Sequence, residues 1–203
     1  MAKIAIDVVL LPSEVMADKA IEMNRELLKS NDRKIVLHKE NCLPHISLCM
    51  GIIQKEDLTA VKSNLESIVK GFSPFQLIAE DIEAVPIQTG KKFSMLKISK
   101  PSSLQSLHEL VMKNLWKYLS YDIDVSMFYN PSEVEEISFG WIKSYAKKYT
   151  DPSRYHPHLS LGVGESDKFT FPIDFTAPTL ALCQLGNYCT CRKVLAKFDF
   201  VEK

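Results

Sequence analysis

Pro44-His45-Ile46-Ser47-Leu48 and Pro157-His158-Leu159-Ser160-Leu161 share one pattern of proline, histidine, an aliphatic residue, serine and leucine. Their apolar flanks are typical of buried strands, in which residues i and i+2 point to the same face. Each segment therefore presents one imidazole beside one hydroxyl. The chain has only five histidines, and two of them occupy this frame. If the two pairs face each other, they form a symmetric cradle suited to a phosphate group.

The segments around the two motifs repeat a similar order of predicted elements. Hydrophobic periodicity predicts a strand over 4–11 and a helix over 12–30, and 95–119 repeats this strand–helix step. A similar segment opens a hairpin after each motif strand, at 72–77 and again at 175–180. The repeat predicts a two-lobed, duplicated α+β fold with pseudo-twofold antiparallel sheets, outer helices and a groove between the lobes.

Length and composition describe one ordinary globular unit. The 203 residues suffice for a substantial core, and 46% apolar and 25% charged residues are usual values. We expect a single bilobed domain over 1–203, with lobes built from about 1–98 and 95–203. The net charge is zero, which argues against a protein that binds long nucleic acid through many phosphates. A neutral protein can still bind a short nucleotide or the end of an RNA.

Local signals predict several element ends. Ser132 and Glu135 fit a capping box that opens a fourth helix, on which Trp141 and Tyr145 recur at core spacing. The segment 149–155 is predicted as a polar loop before the second motif. Turns are predicted at 31–32 and, within a hairpin, across 88–91.

Cysteine usage and hydropathy bear on the compartment. Five cysteines are an odd number without a Cys-x-x-Cys pair, which favours reduced thiols in a cytosolic protein. No apolar run approaches the length of a membrane span, and the apolar start carries Asp7, so we interpret it as a strand and not as a signal peptide. We expect a cytoplasmic monomer with no membrane partner.

The paired His-x-Ser segments resemble the signature of the 2H phosphoesterase superfamily, which includes the 2′-5′ RNA ligase-like proteins and the cyclic phosphodiesterases. Both copies of the signature are intact here, at His45/Ser47 and His158/Ser160. The resemblance implies a bilobed α+β scaffold and a phosphodiesterase without metal or cofactor. It also implies substrates that are RNA ends or small nucleotides carrying a 2′,3′-cyclic phosphate or a 2′-5′ bond.

Two histidines and two serines suit this chemistry. With an ordinary pKa of about 6.5, one imidazole can be neutral and take a proton from water while the other gives a proton to the leaving ribose oxygen. Ser47 and Ser160 would hold the phosphoryl oxygens. The residues alone leave the choice of base open. The resemblance implies His158 as the base, His45 as the acid and opening of a cyclic phosphate to a 2′-phosphate.

Weaker candidates surround the second motif. Tyr155 could stack on a base, Arg154 could pair with a phosphate, and His156 is interpreted as a rim residue; the alternative is that these loop side chains cover the edge of the core. His156 and His158 share a strand face, but no third metal ligand stands out by spacing, so no metal is expected. Basic pairs such as Lys147-Lys148 are interpreted as solvated surface.

Two other functions remain open at this point. One is a 3′-5′ RNA-trimming exonuclease of the same superfamily, which the zero net charge disfavours because long RNA favours a basic groove. The other is a protein that binds a nucleotide or an RNA end without turning it over. Ligand binding that survives the loss of either histidine, with no turnover in the intact protein, would favour the function that only binds.

Overall fold

The computed structural model describes residues 2–29, 33–87, 90–165 and 168–203. Within these ranges the chain folds into one eight-stranded antiparallel sheet with four α-helices. The strands are β1 (Lys3–Leu11), β2 (Ile46–Gln54), β3 (Phe75–Pro86), β4 (Lys92–Ile98), β5 (His158–Val163), β6 (Ile173–Ala177), β7 (Thr179–Leu185) and β8 (Cys191–Asp199). The helices are α1 (Glu14–Leu27), α2 (Leu58–Val69), α3 (Ser102–Leu115) and α4 (Ile137–Thr150).

The strand order is β6-β3-β4-β5-β2-β1-β7-β8, so the two motif strands, β5 and β2, lie side by side at the centre. A single residue pair, Ile46 with Leu159, joins them. We call this junction the seam. The two antiparallel sheets expected from the sequence are thus two four-stranded half-sheets joined at the seam.

Each half-sheet draws strands from distant parts of the chain. The hairpins β3–β4 and β7–β8 form as predicted, but β3 and β4 join the half-sheet of the second motif, and β7 and β8 join that of the first. The half-sheets therefore do not coincide with the stretches 1–98 and 95–203. The strand β1 is apolar almost throughout because β2 and β7 flank it on both edges and its side chains are buried on both faces.

The same irregularity occurs in both motif strands. Val8 and Val9 of β1 pair with Cys49 and Ser47, which leaves Leu48 as an extra residue in β2. Ser94 and Met95 of β4 pair with Gly162 and Ser160, which leaves Leu161 as the extra residue in β5. Each motif thus carries a β-bulge at the leucine that follows its serine. A bulge changes the face to which the following side chains point.

Buried helical side chains satisfy the carbonyl groups at both bulges. His108 of α3 bonds the Leu48 carbonyl through Nδ1 at 2.8 Å, and Asn24 of α1 donates to the Leu161 carbonyl at 2.6 Å. Beside that bond, Gly162 adopts a φ of 136°, and a Cβ there would lie 3.2 Å from the Asn24 amide nitrogen. The helices therefore fix the local shape of the strands that carry the motifs.

The buried His108 predicts a loss of stability in acid. Burial lowers the pKa of His108 to about 4, whereas the unfolded value is about 6.5. The unfolded chain therefore binds more protons between these values, and stability falls as pH drops from about 6.5 towards 4. We expect this residue to make the free energy of unfolding about 2 kcal/mol smaller at pH 5 than at pH 7.

Urea unfolding of the wild type and of His108→Asn at the two pH values checks this expectation. Asparagine can still donate to the Leu48 carbonyl but does not titrate, so the difference between pH 7 and pH 5 should shrink by about the same 2 kcal/mol. An equal pH dependence in both proteins would contradict the prediction.

The structure corrects two local predictions. The capping box at Ser132 and Glu135 is wrong, because Pro131–Glu133 forms a separate short turn, Val134 is extended, and α4 begins at Ile137. The Glu135 amide donates instead to the side chain of Asn187, a contact that no local pattern predicts. At its other end α4 continues to Thr150, so the loop predicted from residue 149 starts later.

The cysteine prediction also needs correction. Cys183 and Cys191 form a disulfide between β7 and β8, while Cys42, Cys49 and Cys189 are buried free thiols. In the described part of the chain, no helix is both long and apolar enough to cross a membrane. The predicted turn at 31–32 and half of the turn at 88–91 lie outside the described residues.

Candidate active site

Both motifs line one cavity of about 220 Å³ at the seam, and His45, Ser47, His158 and Ser160 all contribute to its wall. Ile46 and Leu159 are fully buried, so the residues on either side of them point to the opposite face. Continuing the antiparallel register of this pair places His45 opposite Ser160, and Ser47 opposite His158. By this register, each imidazole is expected to face the hydroxyl of the other motif.

The bulge in β2 extends this wall. Without the extra Leu48, strict alternation would turn Met50 away from the face of His45 and Ser47. With it, Met50 lines the same cavity, and Asp7 of β1, which pairs with Met50, lies behind Ser47. The local irregularity of the motif strand thus widens the set of side chains around the two histidines.

Both imidazoles are oriented by the same kind of bond. Nδ1 of His45 lies 2.7 Å from the Leu43 carbonyl, and Nδ1 of His158 lies 3.0 Å from the His156 carbonyl. A carbonyl oxygen only accepts, so Nδ1 carries the hydrogen in both rings. In the neutral form Nε2 is then the basic nitrogen of each ring. The backbone carbonyl group two residues before each histidine therefore sets the tautomer of that histidine.

The cavity favours neutral histidines before any ligand binds. Burial lowers the pKa of His45, with the bond to Leu43 acting in the opposite direction. Burial also lowers the pKa of His158, and the positive charge of Lys148 lowers it further. A bound anion has the opposite effect, because it favours the protonated imidazole. An anion bound in this cavity would therefore favour protonation of a histidine.

Lys148 of α4 is a site residue that the sequence interpretation missed. Its half-buried side chain lines the cavity, and burial lowers its pKa to about 8. Nζ lies 3.6 Å from the ring centroid of Tyr145, and within the described ranges it forms no ion pair with a carboxylate. The interpretation of Lys148 as solvated surface is wrong. Its spacing from Trp141 and Tyr145 on one helix face is the signal that could have placed it.

The opposite wall of the cavity is aromatic and aliphatic. Trp141 packs edge-on against Phe93, with centroids 5.0 Å apart, and against Tyr188 at 5.8 Å. Tyr188 and Cys189 have positive φ values of 55° and 52°, and this left-handed backbone turns the β7–β8 connection into the cavity. The cavity therefore combines a polar, cationic end with an apolar wall.

A buried carboxyl group stands behind the first motif. Asp7 is fully buried; its Oδ2 lies 2.6 Å from Ser47 Oγ and 3.8 Å from His45 Nε2. Burial raises its pKa well above the ordinary value, while Ser47, Lys148 and the Cys49 backbone lower it by smaller amounts. No sequence pattern indicates that Asp7 lies beside the first motif, because in the sequence it is a lone polar residue in an apolar strand.

The three weaker candidates do not line this cavity. Tyr155 is buried and stacks on His108, with ring centroids 4.0 Å apart. Arg154 pairs with Asp151 at 3.0 Å on the surface, and the exposed His156 contributes its backbone carbonyl to His158. Arg154 and His156 could contact only a ligand that extends beyond the cavity, and the buried ring of Tyr155 presents no surface to one.

The described residues hold no group of three or more histidine, cysteine or acidic side chains placed to bind a metal ion. A larger depression of about 640 Å³ lies elsewhere on the second half-sheet, lined by Asp81, Glu165 and Phe171 among others. It contains none of the four motif residues. The chemistry suggested by the sequence therefore belongs to the smaller cavity at the seam.

No family model and no curated protein sequence matches this chain. Solved structures do match it along nearly its whole length. TT0787 of Thermus thermophilus has a TM-score of 0.63 at 13% identity, covering 97% of this chain and 98% of that chain. E. coli LigT complexed with NADP+ has a TM-score of 0.54 at 12% identity, with coverages of 98% and 99%. The chain therefore has the fold implied by its resemblance to the 2H phosphoesterases.

Proposed function

We propose that this protein is a metal-independent phosphodiesterase that acts on 2′,3′-cyclic phosphate or 2′-5′ phosphodiester bonds of RNA ends or small nucleotides. One observation carries the proposal: two histidines from matching motifs line one cavity together with both motif serines, and each histidine has its Nδ1 bound to a backbone carbonyl. This arrangement supplies a proton acceptor and a proton donor to a single phosphate.

The proposed reaction takes its base, its acid and its product from the resemblance to the 2H phosphoesterases. Nε2 of His158 takes a proton from water, and the water oxygen attacks phosphorus. The bond from phosphorus to O3′ breaks, and Nε2 of His45 delivers its proton to the leaving oxygen, which yields a 2′-phosphate. Each proton transfer contributes roughly 10²–10⁴-fold to the rate. Ser47 and Ser160 donate to the phosphoryl oxygens, whose charge persists throughout.

Substrate binding must raise the pKa of His45 so that this histidine carries a proton when the reaction starts. Burial disfavours the imidazolium in the empty cavity, whereas a phosphodiester anion stabilises it. Lys148 attracts the same anion and balances its charge at the polar end of the cavity. The two histidines then titrate as a pair, with apparent pKa values that belong to both.

The apolar wall suits the sugar and base of a nucleotide. Trp141 and Phe93 offer ring surface beside the polar end. E. coli LigT, which shares the fold, has been crystallised in complexes with NADP+, with ATP and with phosphate. These complexes support a nucleotide as the ligand class of this fold, and we extend that class to the present cavity.

Hydrolysis of the four 2′,3′-cyclic nucleotides and of a short RNA ending in a 2′,3′-cyclic phosphate tests the proposal. We expect turnover that persists in EDTA and gives one of the two phosphate isomers. Activity that EDTA abolishes would contradict the two-histidine mechanism. Binding of these ligands without turnover would instead support a protein that only binds RNA ends, and processive shortening of longer RNA would support the trimming exonuclease.

A further inference from the structure

Asp7 is a buried acid that the two-histidine mechanism does not use. It is fully buried on β1, and its Oδ2 lies 2.6 Å from the hydroxyl oxygen of Ser47. Its Oδ1 accepts no hydrogen bond of ordinary geometry in the described part of the chain, and the Cys49 backbone has the smallest effect on its pKa. A carboxylate left in this state loses the hydration of a full charge, which costs far more than burying a neutral acid.

The groups that face Asp7 offer it little positive charge. They are His45 and Cys49 on β2, Tyr145 and Lys148 on α4, Tyr155 before β5, and Cys189 in the β7–β8 connection. The nearest basic atom, His45 Nε2, is 3.8 Å away on an imidazole whose protonation burial disfavours. Lys148 acts on Asp7 through its charge but forms no ion pair with it within the described ranges. Burial raises the pKa of Asp7 well above its ordinary value.

The protonation state of Asp7 decides which group receives the hydroxyl hydrogen of Ser47. A serine hydroxyl has one hydrogen to donate. If Asp7 is ionised, Ser47 gives this hydrogen to the carboxylate and presents only lone pairs to a phosphate, next to a repelling negative charge. If Asp7 is protonated, its O–H donates to Ser47 Oγ. The Tyr145 hydroxyl, which also hydrogen-bonds Ser47, can donate to the second lone pair, and the serine hydrogen is then available for a phosphoryl oxygen.

We propose that Asp7 works as a protonated carboxylic acid that donates to Ser47 and thereby turns Ser47 into a hydrogen-bond donor to the substrate's phosphate. Asp7 is a positioning residue, because it acts through Ser47. The proposal rests on the proposed function for the identity of the ligand, but the proton on Asp7 exists with or without turnover.

The second motif provides an internal comparison. Asp7 lies two residues before Val9, the partner of Ser47 across β1 and β2. The matching position before Met95, the partner of Ser160, is Phe93. Ser160 therefore has no acid in the corresponding place, and its hydroxyl hydrogen is not claimed by one. The two serines should respond differently to changes at residue 7.

Two substitutions separate the charge of Asp7 from its hydrogen bond. Asp7→Asn keeps a neutral donor for Ser47, and we expect kcat/KM for the cyclic nucleotide within about threefold of wild type. Asp7→Leu removes the donor, and we expect a loss of about tenfold, similar to Ser47→Ala. Asp7→Leu should add little to Ser47→Ala, whereas its effect should multiply with that of Ser160→Ala.

The pH profile gives a readout that a purely structural role would not change. If Asp7 is neutral, Asp7→Asn leaves the alkaline limb of kcat/KM in place. An ionised Asp7 would raise the pKa of His45, and its replacement by asparagine would move that limb to lower pH. A shift of this kind, or a loss in Asp7→Asn as large as that in Asp7→Leu, would overturn the proposal.

Infrared difference spectra of the unliganded protein test the proton without any substrate. The wild type should show the carbonyl stretch of a buried carboxylic acid at neutral pH, and Asp7→Asn should lack it. If no cyclic nucleotide is turned over, calorimetry with inorganic phosphate replaces kcat/KM in the same set of variants. A missing carboxylic acid band would refute the role of Asp7 even if the proposed enzyme activity is found.

Discussion

His45→Ala and His158→Ala are each expected to lower kcat for a 2′,3′-cyclic nucleotide by roughly 10²–10⁴-fold, since either change leaves one proton transfer without a side chain to perform it. The loss should fall mainly on kcat, because the serines and Lys148 still hold the phosphate. Steady-state kinetics of the two variants, at matched circular dichroism spectra, measure it. The double variant should be little worse than either single one, because the two histidines act as a unit.

Further measurements assign the roles and provide the control. Loss of the base removes the acid limb of the pH profile, and loss of the acid removes the alkaline limb, so the two variants identify which histidine does which. Ser160→Ala is the matched control within the same motif, with an expected loss of only about three- to tenfold. Turnover at the wild-type rate in either histidine variant would refute the mechanism.

Lys148→Met is expected to weaken binding of inorganic phosphate by about 10–100-fold, because it removes a charged donor from the polar end of the cavity. Calorimetry measures this loss directly, and KM for the cyclic nucleotide should rise with it. Lys147→Met is the matched control: the neighbouring lysine is exposed and does not line the cavity. Equal phosphate affinities in the two variants would exclude Lys148 as an anion contact.

The pH dependence of binding should identify the same residue. Burial lowers the pKa of Lys148 to about 8, and only the protonated amine attracts an anion. Its contribution is therefore present below pH 8 and is lost as pH rises through that value. Lys148→Arg keeps its charge at any pH in this range, so the decline above pH 8 should be smaller in that variant.

Local signals were sufficient for much of the secondary structure. The periodicity of α1, α2 and α3 and the alternation in β3–β4 and β7–β8 depend on near neighbours, and the structure confirms those elements. The pairing of β1 with β7, and of β3 with β6, joins segments far apart in the chain, for which no local pattern exists. The start of α4 was misplaced for the same reason, because Asn187 binds the Glu135 amide from a distant loop.

The candidate site likewise contains residues that the sequence indicates and residues that only long-range packing reveals. His45, Ser47, His158 and Ser160 could be singled out from the sequence because two motifs of one pattern present them at strand spacing. Lys148 and Asp7 could not, since each owes its properties to burial by other elements. Burial lowers the pKa of Lys148 and raises that of Asp7, and both effects arise only when α4 packs against the sheet.

Under the proposed function, the seam links catalysis to folding. Each half-sheet can pair its own strands and place its own histidine and serine, yet neither contains both an acid and a base. The pair exists only when Ile46 meets Leu159, a contact between residues far apart in the chain and thus one of high contact order. If the proposed function is correct, a molecule with both half-sheets formed and the seam open would keep most of its secondary structure but would not turn over substrate. Turnover would then report the fraction of molecules in which the seam is closed.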